Sequence, residues 1–189
     1  MVDKQAVHDV METWFRVKGS YKVNDDLSVD VEGDVHLNIT PPHGIIPVKF
    51  GVVTGGFDVV SCGLTSLQNA PHTVNGFFMC SHNKLTNLVH GPKVVSDIYV
   101  IGKNPLRSLE GFPDTASPTY VSMRYMPKLP VPMLRLLVCE EIDVWSEPND
   151  KPGYQIQEIL RPYAGKGKQG AIKCAVELVK AGFKEVARW

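Results

Sequence analysis

At 189 residues the chain is long enough to bury one sizeable core, or one core with a small appendage. Lys plus Arg, at 20, equals Asp plus Glu, at 20, so no net field draws the protein toward polyanions and any nucleic-acid contact must rest on local charge. The four cysteines form no C-x-x-C pair, MVDKQAVHD is too polar for a signal peptide and no apolar run reaches spanning length, which argues for a soluble, intracellular chain with reduced, buried thiols.

Residues 3–18 are expected to form a helix. Asp3 can serve as N-cap, and Ala6, Val7, Val10, Met11, Trp14 and Phe15 make one apolar stripe, with Gly19 as the stop. Such a stripe needs a partner, and the open first coil of a repeat array would supply it. Residues 21–39 alternate apolar and polar, and Asn24-Asp25-Asp26 interrupts them with a turn signal, so a hairpin is expected there.

From residue 64 to residue 113 one pattern occurs three times at a spacing of 21: LTSLQNAP from Leu64, LTNLVHGP from Leu85 and LRSLEGFP from Leu106. Between copies, Phe78-x-Cys80-x-x-Asn83-x-Leu85 returns as Tyr99-x-Ile101-x-x-Asn104-x-Leu106. This is the leucine-rich-repeat pattern L-x-L-x-x-N/C-x-L-x-x-L, and it predicts an α/β solenoid with a parallel sheet on its concave side. A degenerate earlier copy precedes it, because Val31-x-Gly33-x-Val35-x-Leu37 anticipates Val53-x-Gly55-x-Phe57-x-Val59. Strands are expected at 35–37, 57–59, 78–80, 99–101, 120–122 and 142–144, with a short helix at 129–138 feeding the last. Asn83 and Asn104 should turn the chain by bonding backbone groups inside the bend. Cys62 stands at the equivalent place earlier and Tyr125 at the equivalent place later. The prolines should close each coil as extended, non-helical segments.

Residues 146–153 read as a polar connector. Beyond it, two helices are expected at 154–163 and 171–181, joined by GKGKQG, with Ile172, Ala175, Val176 and Val179 on one face of the second. The division is therefore a cap at 1–28, a solenoid at 29–145 and a helical cap at 146–189.

The coil VTGGFDVVSCGLTSLQNAP and the C-terminal stretch EILRPYAGKGKQGAIKCAVELVKAGFKEVARW resemble small leucine-rich-repeat proteins of tailed bacteriophages, over nearly the whole chain from Val29. The resemblance implies phage origin and action in the host cytoplasm. It carries no catalytic residues with it.

Side chains between the inward strand positions point to the concave face. Register places Asp58, Met79, Val100 and Val121 in one row, and Gly56, Phe77, Ile98 and Thr119 in a second. A third holds Val60, Ser81, Gly102 and Met123, and Ser61, His82, Lys103 and Arg124 form the rim. An apolar strip beside a short basic ladder is what a binding face looks like. The expected function is non-enzymatic capture of a host macromolecule, in the first instance a protein, for counter-defence or host takeover. The site residues are Asp58, Phe77, Met79, His82, Ile98, Val100, Lys103, Val121 and Arg124.

A second reading rests on Gly165-x-Gly167-x-x-x-Ala171, the glycine spacing of helix-hairpin-helix DNA-binding motifs. There Gly165, Lys166, Gly167, Lys168 and Lys173 would hold a phosphate weakly and without sequence preference. A third is sequestration of a small signalling nucleotide in the concave groove. The six histidines are scattered without metal-ligand spacing and GKGKQG is not a P-loop, so no catalytic group, metal or cofactor is expected, nor any membrane contact.

Overall fold

Helix α1, Lys4–Trp14, begins at Asp3, whose carboxylate accepts the Ala6 N–H at 2.9 Å. The structure is a computed structural model that describes residues 3–114, 118–126, 132–144 and 151–188. The helix buries Val7 and Met11 but stops earlier than its apolar stripe suggests, because Phe15 is already extended. From there β1, Phe15–Val23, pairs antiparallel with β2, Val29–Leu37, in unbroken register from Phe15↔Leu37 to Val23↔Val29. Gly19 is therefore not a helix stop. It faces Gly33 across the hairpin, with φ of +139° and +123°, and a Cβ on either glycine would strike the carbonyl of the opposite strand. Only glycine reaches such φ values without strain.

Strand β2 is the root of a two-winged sheet. Its first half pairs in parallel with β3, Phe50–Val53, and its second half with β4, Phe57–Asp58. One wing continues from β3 through β5, Thr73–Val74, to β7, Val94–Val95. The other runs from β4 through β6, Phe78–Met79, β8, Ile98–Val100, and β9, Tyr120–Ser122, to β10, Glu141–Asp143. The chain is a parallel β solenoid that advances one strand of each wing per coil. The long wing lies where the repeat predicts it. The short wing occupies the stretches after Pro71 and Pro92, expected only to be extended.

Between β8 and β9 the period lengthens by one residue. Tyr99 pairs with Val121, not Tyr120, and Val100 with Ser122. Val121 and Met123 are wholly buried, so each coil keeps two apolar side chains on the core side, which Tyr120 and Ser122 could not supply as well. The slip moves Met126, 1% exposed, into the asparagine position in place of Tyr125.

The asparagines join coils as well as turning them. The Asn83 amide donates to the carbonyls of Cys80 and Ser81 in its own coil and of Val59 in the coil before, while its oxygen accepts the Leu64 N–H at 2.9 Å. Asn104 repeats the arrangement with Cys80, Ile101, Gly102 and Leu85. Cys62 bonds the Leu37 and Val60 carbonyls through its thiol. Down the centre, aromatic rings touch from Phe15 to Phe50, Phe57, Phe78, Tyr99 and Phe112, with centroids 5.0–5.7 Å apart. Three of those rings, Phe57, Phe78 and Tyr99, are 21 residues apart, one per coil.

At the far end a side chain replaces the missing coil. Val59, Cys80, Ile101 and Met123 each donate their N–H to the carbonyl of the next strand. Val144 is next in that row and donates instead to Gln157 Oε1 at 2.7 Å. Gln157 belongs to α2, Lys151–Leu160, which leads through a 3₁₀ turn, Arg161–Tyr163, to α3, Gly167–Lys180. Both helices start earlier than their expected bounds. The expected helix at 129–138 is a 3₁₀ segment, Met133–Val138, with residues 127–131 outside the described part, as are 145–150 of the connector. Helix α3 also turns differently from expectation: Gly170, Ala171, Cys174 and Leu178 are buried, whereas Ile172, Val176 and Val179 are about half exposed. Small residues at 170, 171 and 174 let α3 approach the 3₁₀ segment closely, and they decide which face goes in. Among the described residues no helix is long and apolar enough to cross a membrane.

Candidate functional site

The outward face of the long wing is built by alternation. Core-side residues are fixed by packing, and their neighbours on each strand point away. With the slip included, one row reads His36, Asp58, Met79, Val100, Ser122 and Asp143. The row beside it holds Gly56, Phe77, Ile98, Tyr120 and Glu141. The slip corrects three assignments. Val121 is a core residue and takes no part in the face; Met123 is likewise internal; and Thr119 gives its place to Tyr120.

Phe77, Met79, Ile98 and Val100 come together at the centre, each half-buried. The Phe77 ring lies directly over Gly56, filling the space that any side chain there would need. Hydrogen-bonded polar pairs sit at both ends of this patch. Toward the N-terminus His36 Nδ1 lies 3.3 Å from Asp58 Oδ2, beside a hollow of about 500 Å³ lined by Arg16, Val17, Lys18, His36 and Asn38. Toward the C-terminus the Arg124 guanidinium is bound to Asp143, and the Tyr120 hydroxyl donates to the same carboxylate oxygen at 2.9 Å. Burial and the neighbouring Asp143 raise the Tyr120 hydroxyl above its ordinary pKa, so it stays a donor.

The expected basic ladder is only partly assembled. Ser61, His82, Lys103 and Tyr125 occupy the rim, each at positive φ between 51° and 59°, at the corner that follows the long-wing strand. Arg124 lies one row inward, where its charge is matched by Asp143. Lys103 sits 4.8 Å from the Tyr125 ring centroid, a cation–π distance. His82 is exposed, with Nδ1 3.4 Å from the Ser81 hydroxyl.

Tyr120, Ser122, Asp143 and His36 belong to the face but escape a strict 21-residue alignment. The signal that finds the first three is Val121-x-Met123-x-x-Met126, an apolar triplet spaced like Tyr99-x-Ile101-x-x-Asn104, and the 22-residue offset of Val35-x-Leu37 from Phe57-x-Val59 places His36 beside Asp58.

At the C-terminal hairpin two backbone N–H groups ahead of α3 are already engaged. The Gly165 N–H donates to the Leu137 carbonyl at 3.0 Å and the Lys166 N–H to the Tyr163 carbonyl at 3.2 Å. Lys166, Lys168 and Lys173 are exposed around that turn. A cavity of about 560 Å³ lies between this turn and the 3₁₀ segment, walled by Leu134, Leu137, Val138 and Ala171.

The four cysteines are buried and unpaired. Burial pushes the thiols of Cys62 and Cys174 up to about 11 and that of Cys139 up to about 12, and it raises Cys80 further still. None is a thiolate near neutral pH. No family model matches the chain, and comparisons with curated proteins and with solved structures find no match.

Proposed function

We propose that the protein is a non-enzymatic leucine-rich-repeat binding protein. In this reading the outward face of the long wing captures a macromolecule, in the first instance a protein, of a bacterial host. The observation that carries it is the apolar patch of Phe77, Met79, Ile98 and Val100 set between two polar borders, His36 with Asp58 and Arg124 with Asp143. An apolar centre ringed by polar groups is the usual anatomy of a protein interface, where buried aromatic and aliphatic anchors supply affinity and the rim supplies selection. His82 and Lys103, both exposed at the corners, would favour an acidic patch on the partner. The resemblance to small phage proteins supplies the setting, the cytoplasm of an infected bacterium.

The test is a pull-down from host lysate with the parent and with Phe77→Asp plus Val100→Asp. The parent should retain a partner that the double variant loses at unchanged melting temperature. Retention of every partner by the variant defeats the reading.

Weak nucleic-acid binding at the C-terminal hairpin is the second reading; with the Gly165 and Lys166 N–H groups occupied, a phosphate would have to rest on the first N–H groups of α3 and the nearby lysines. It would require a salt-sensitive DNA shift that Lys166→Ala with Lys168→Ala abolishes.

A further inference from the structure

Charge and exposed apolar surface are both concentrated in the C-terminal cap, although the whole chain is neutral. Residues 151–188 hold eight Lys and Arg against three Glu, an excess of five positive charges, which Glu147 and Asp150 just before them reduce to three for the whole cap. The three carboxylates are already taken: Glu158 by Arg161, Glu185 by Arg188, and Glu177 by the Tyr163 hydroxyl at 2.6 Å. The six lysines of this segment are exposed and make no ion pair with another described residue. Four of the seven exposed large apolar side chains among the described residues also lie here: Tyr154, Ile172, Val176 and Val179.

Along α3 these two features interleave. Ile172, Val176 and Val179, spaced four and three residues apart, form one outward stripe. Lys168 lies to one side of it, and Lys173 and Lys180 lie to the other. A stripe of aliphatic side chains flanked by lysines on an otherwise folded helix is the pattern of an in-plane interfacial helix, whose apolar face enters the headgroup boundary while cations meet lipid phosphates.

We infer that the outer face of α3 docks on an anionic lipid surface, with Ile172, Val176 and Val179 entering the interface and Lys168, Lys173 and Lys180 on the headgroups. Two other occupants fit less well. Three half-exposed aliphatics fall well short of the roughly 800 Å² per partner that a stable dimer buries, so a second copy gains too little. Nucleic acid would meet the lysines but gain nothing from aliphatic side chains, which neither stack on bases nor bond to phosphate. Docking here leaves the long-wing face free for its own partner, so the two sites can fail separately. It also departs from the sequence-based expectation of no membrane contact.

The test is co-sedimentation of the full chain with phosphatidylglycerol–phosphatidylcholine vesicles and with pure phosphatidylcholine vesicles, at low and high salt. The parent should pellet with the anionic vesicles only, and less at high salt. Lys173→Gln with Lys180→Gln should weaken the partition by about 25-fold, since each lysine near an anionic surface contributes about fivefold. Ile172→Gln with Val176→Gln and Val179→Gln changes only exposed positions and should weaken it by at least about tenfold with no change in circular dichroism. The inference is overturned if the parent ignores anionic vesicles or if neither variant alters its binding. It is equally overturned if light scattering shows a dimer that the aliphatic variant dissociates while vesicle binding is unchanged. A DNA complex that survives the aliphatic variant, with no vesicle binding, would assign the lysines to nucleic acid instead.

Discussion

Replacing Gln157 with leucine should loosen the C-terminal end of the solenoid by removing one atom's worth of hydrogen bonding. The ladder N–H row of Val59, Cys80, Ile101, Met123 and Val144 ends at β10, the last strand among the described residues, and Gln157 Oε1 accepts the last donor at 2.7 Å. Val144 is 0% exposed and Gln157 4%, so water cannot take over that role without opening the joint between β10 and α2. Leaving a buried N–H unpaired costs about 1–3 kcal/mol, while the added apolar contact of leucine offsets part of it; a net loss of about 1.5 kcal/mol is expected. That is a sizeable share of the roughly 5–15 kcal/mol that holds a domain folded. Urea unfolding of Gln157→Leu should show a lower midpoint at unchanged slope, and the Val144 amide should exchange its hydrogen faster than in the parent. An unchanged midpoint together with an equally protected Val144 amide would refute the view that Gln157 stands in for a missing coil.

Three further outcomes follow from the same reasoning. The Tyr99 hydroxyl is buried with no hydrogen-bond partner and lies close to Gly91, so Tyr99→Phe should raise stability by about 1 kcal/mol in thermal unfolding; a loss of that size would mean the hydroxyl is satisfied. Asn104→Leu unpairs the Leu85 N–H and removes the donor to three carbonyls, and should cost about 3 kcal/mol by urea denaturation, whereas Asn104→Cys, by analogy with Cys62, should cost less. The thiols of Cys62 and Cys174 rise from 9.0 in the unfolded chain to about 11 in the folded one, so protonation favours the fold. Their contribution is complete below pH 9 and lost as pH climbs toward 11. Urea midpoints should fall across that window, and Cys62→Ala with Cys174→Ala should flatten the decline.

What the sequence made legible was whatever repeats. Leu64, Leu85 and Leu106, with Asn83 and Asn104, define the coil, and the leucines are buried where the spacing puts them. Four features are harder to read, each for a physical reason. The stripe from Ala6 to Phe15 has helical spacing right up to the residue that starts β1, and pairing with β2 overrides it. The short wing's strands of two to four residues are as brief as those of the long wing but lie outside the leucine consensus that marks the coil, so neither alternation nor motif declares them. At the C-terminal end of the face one inserted residue before Val121 exchanges inward and outward positions, so a strict 21-residue step puts Val121 on the surface and misses Tyr120, Ser122 and Asp143. On α3 the apolar residues run around most of the helix, and periodicity alone cannot say that Ala171, Cys174 and Leu178 go inward while Ile172, Val176 and Val179 stay out.

The constant 21-residue step between Leu64, Leu85 and Leu106 has a genetic consequence. Neighbouring coils offer recombination a matching boundary every turn, and an unequal crossover there adds or removes one whole coil. Such an event shifts the helical cap by one strand spacing, about 4.8 Å, without touching the Gln157 joint at one end or the β1–β2 hairpin at the other. The outward patch would lengthen or shorten by a single pair of side chains such as Ile98 and Val100. The outward face would therefore change size in discrete steps of one coil.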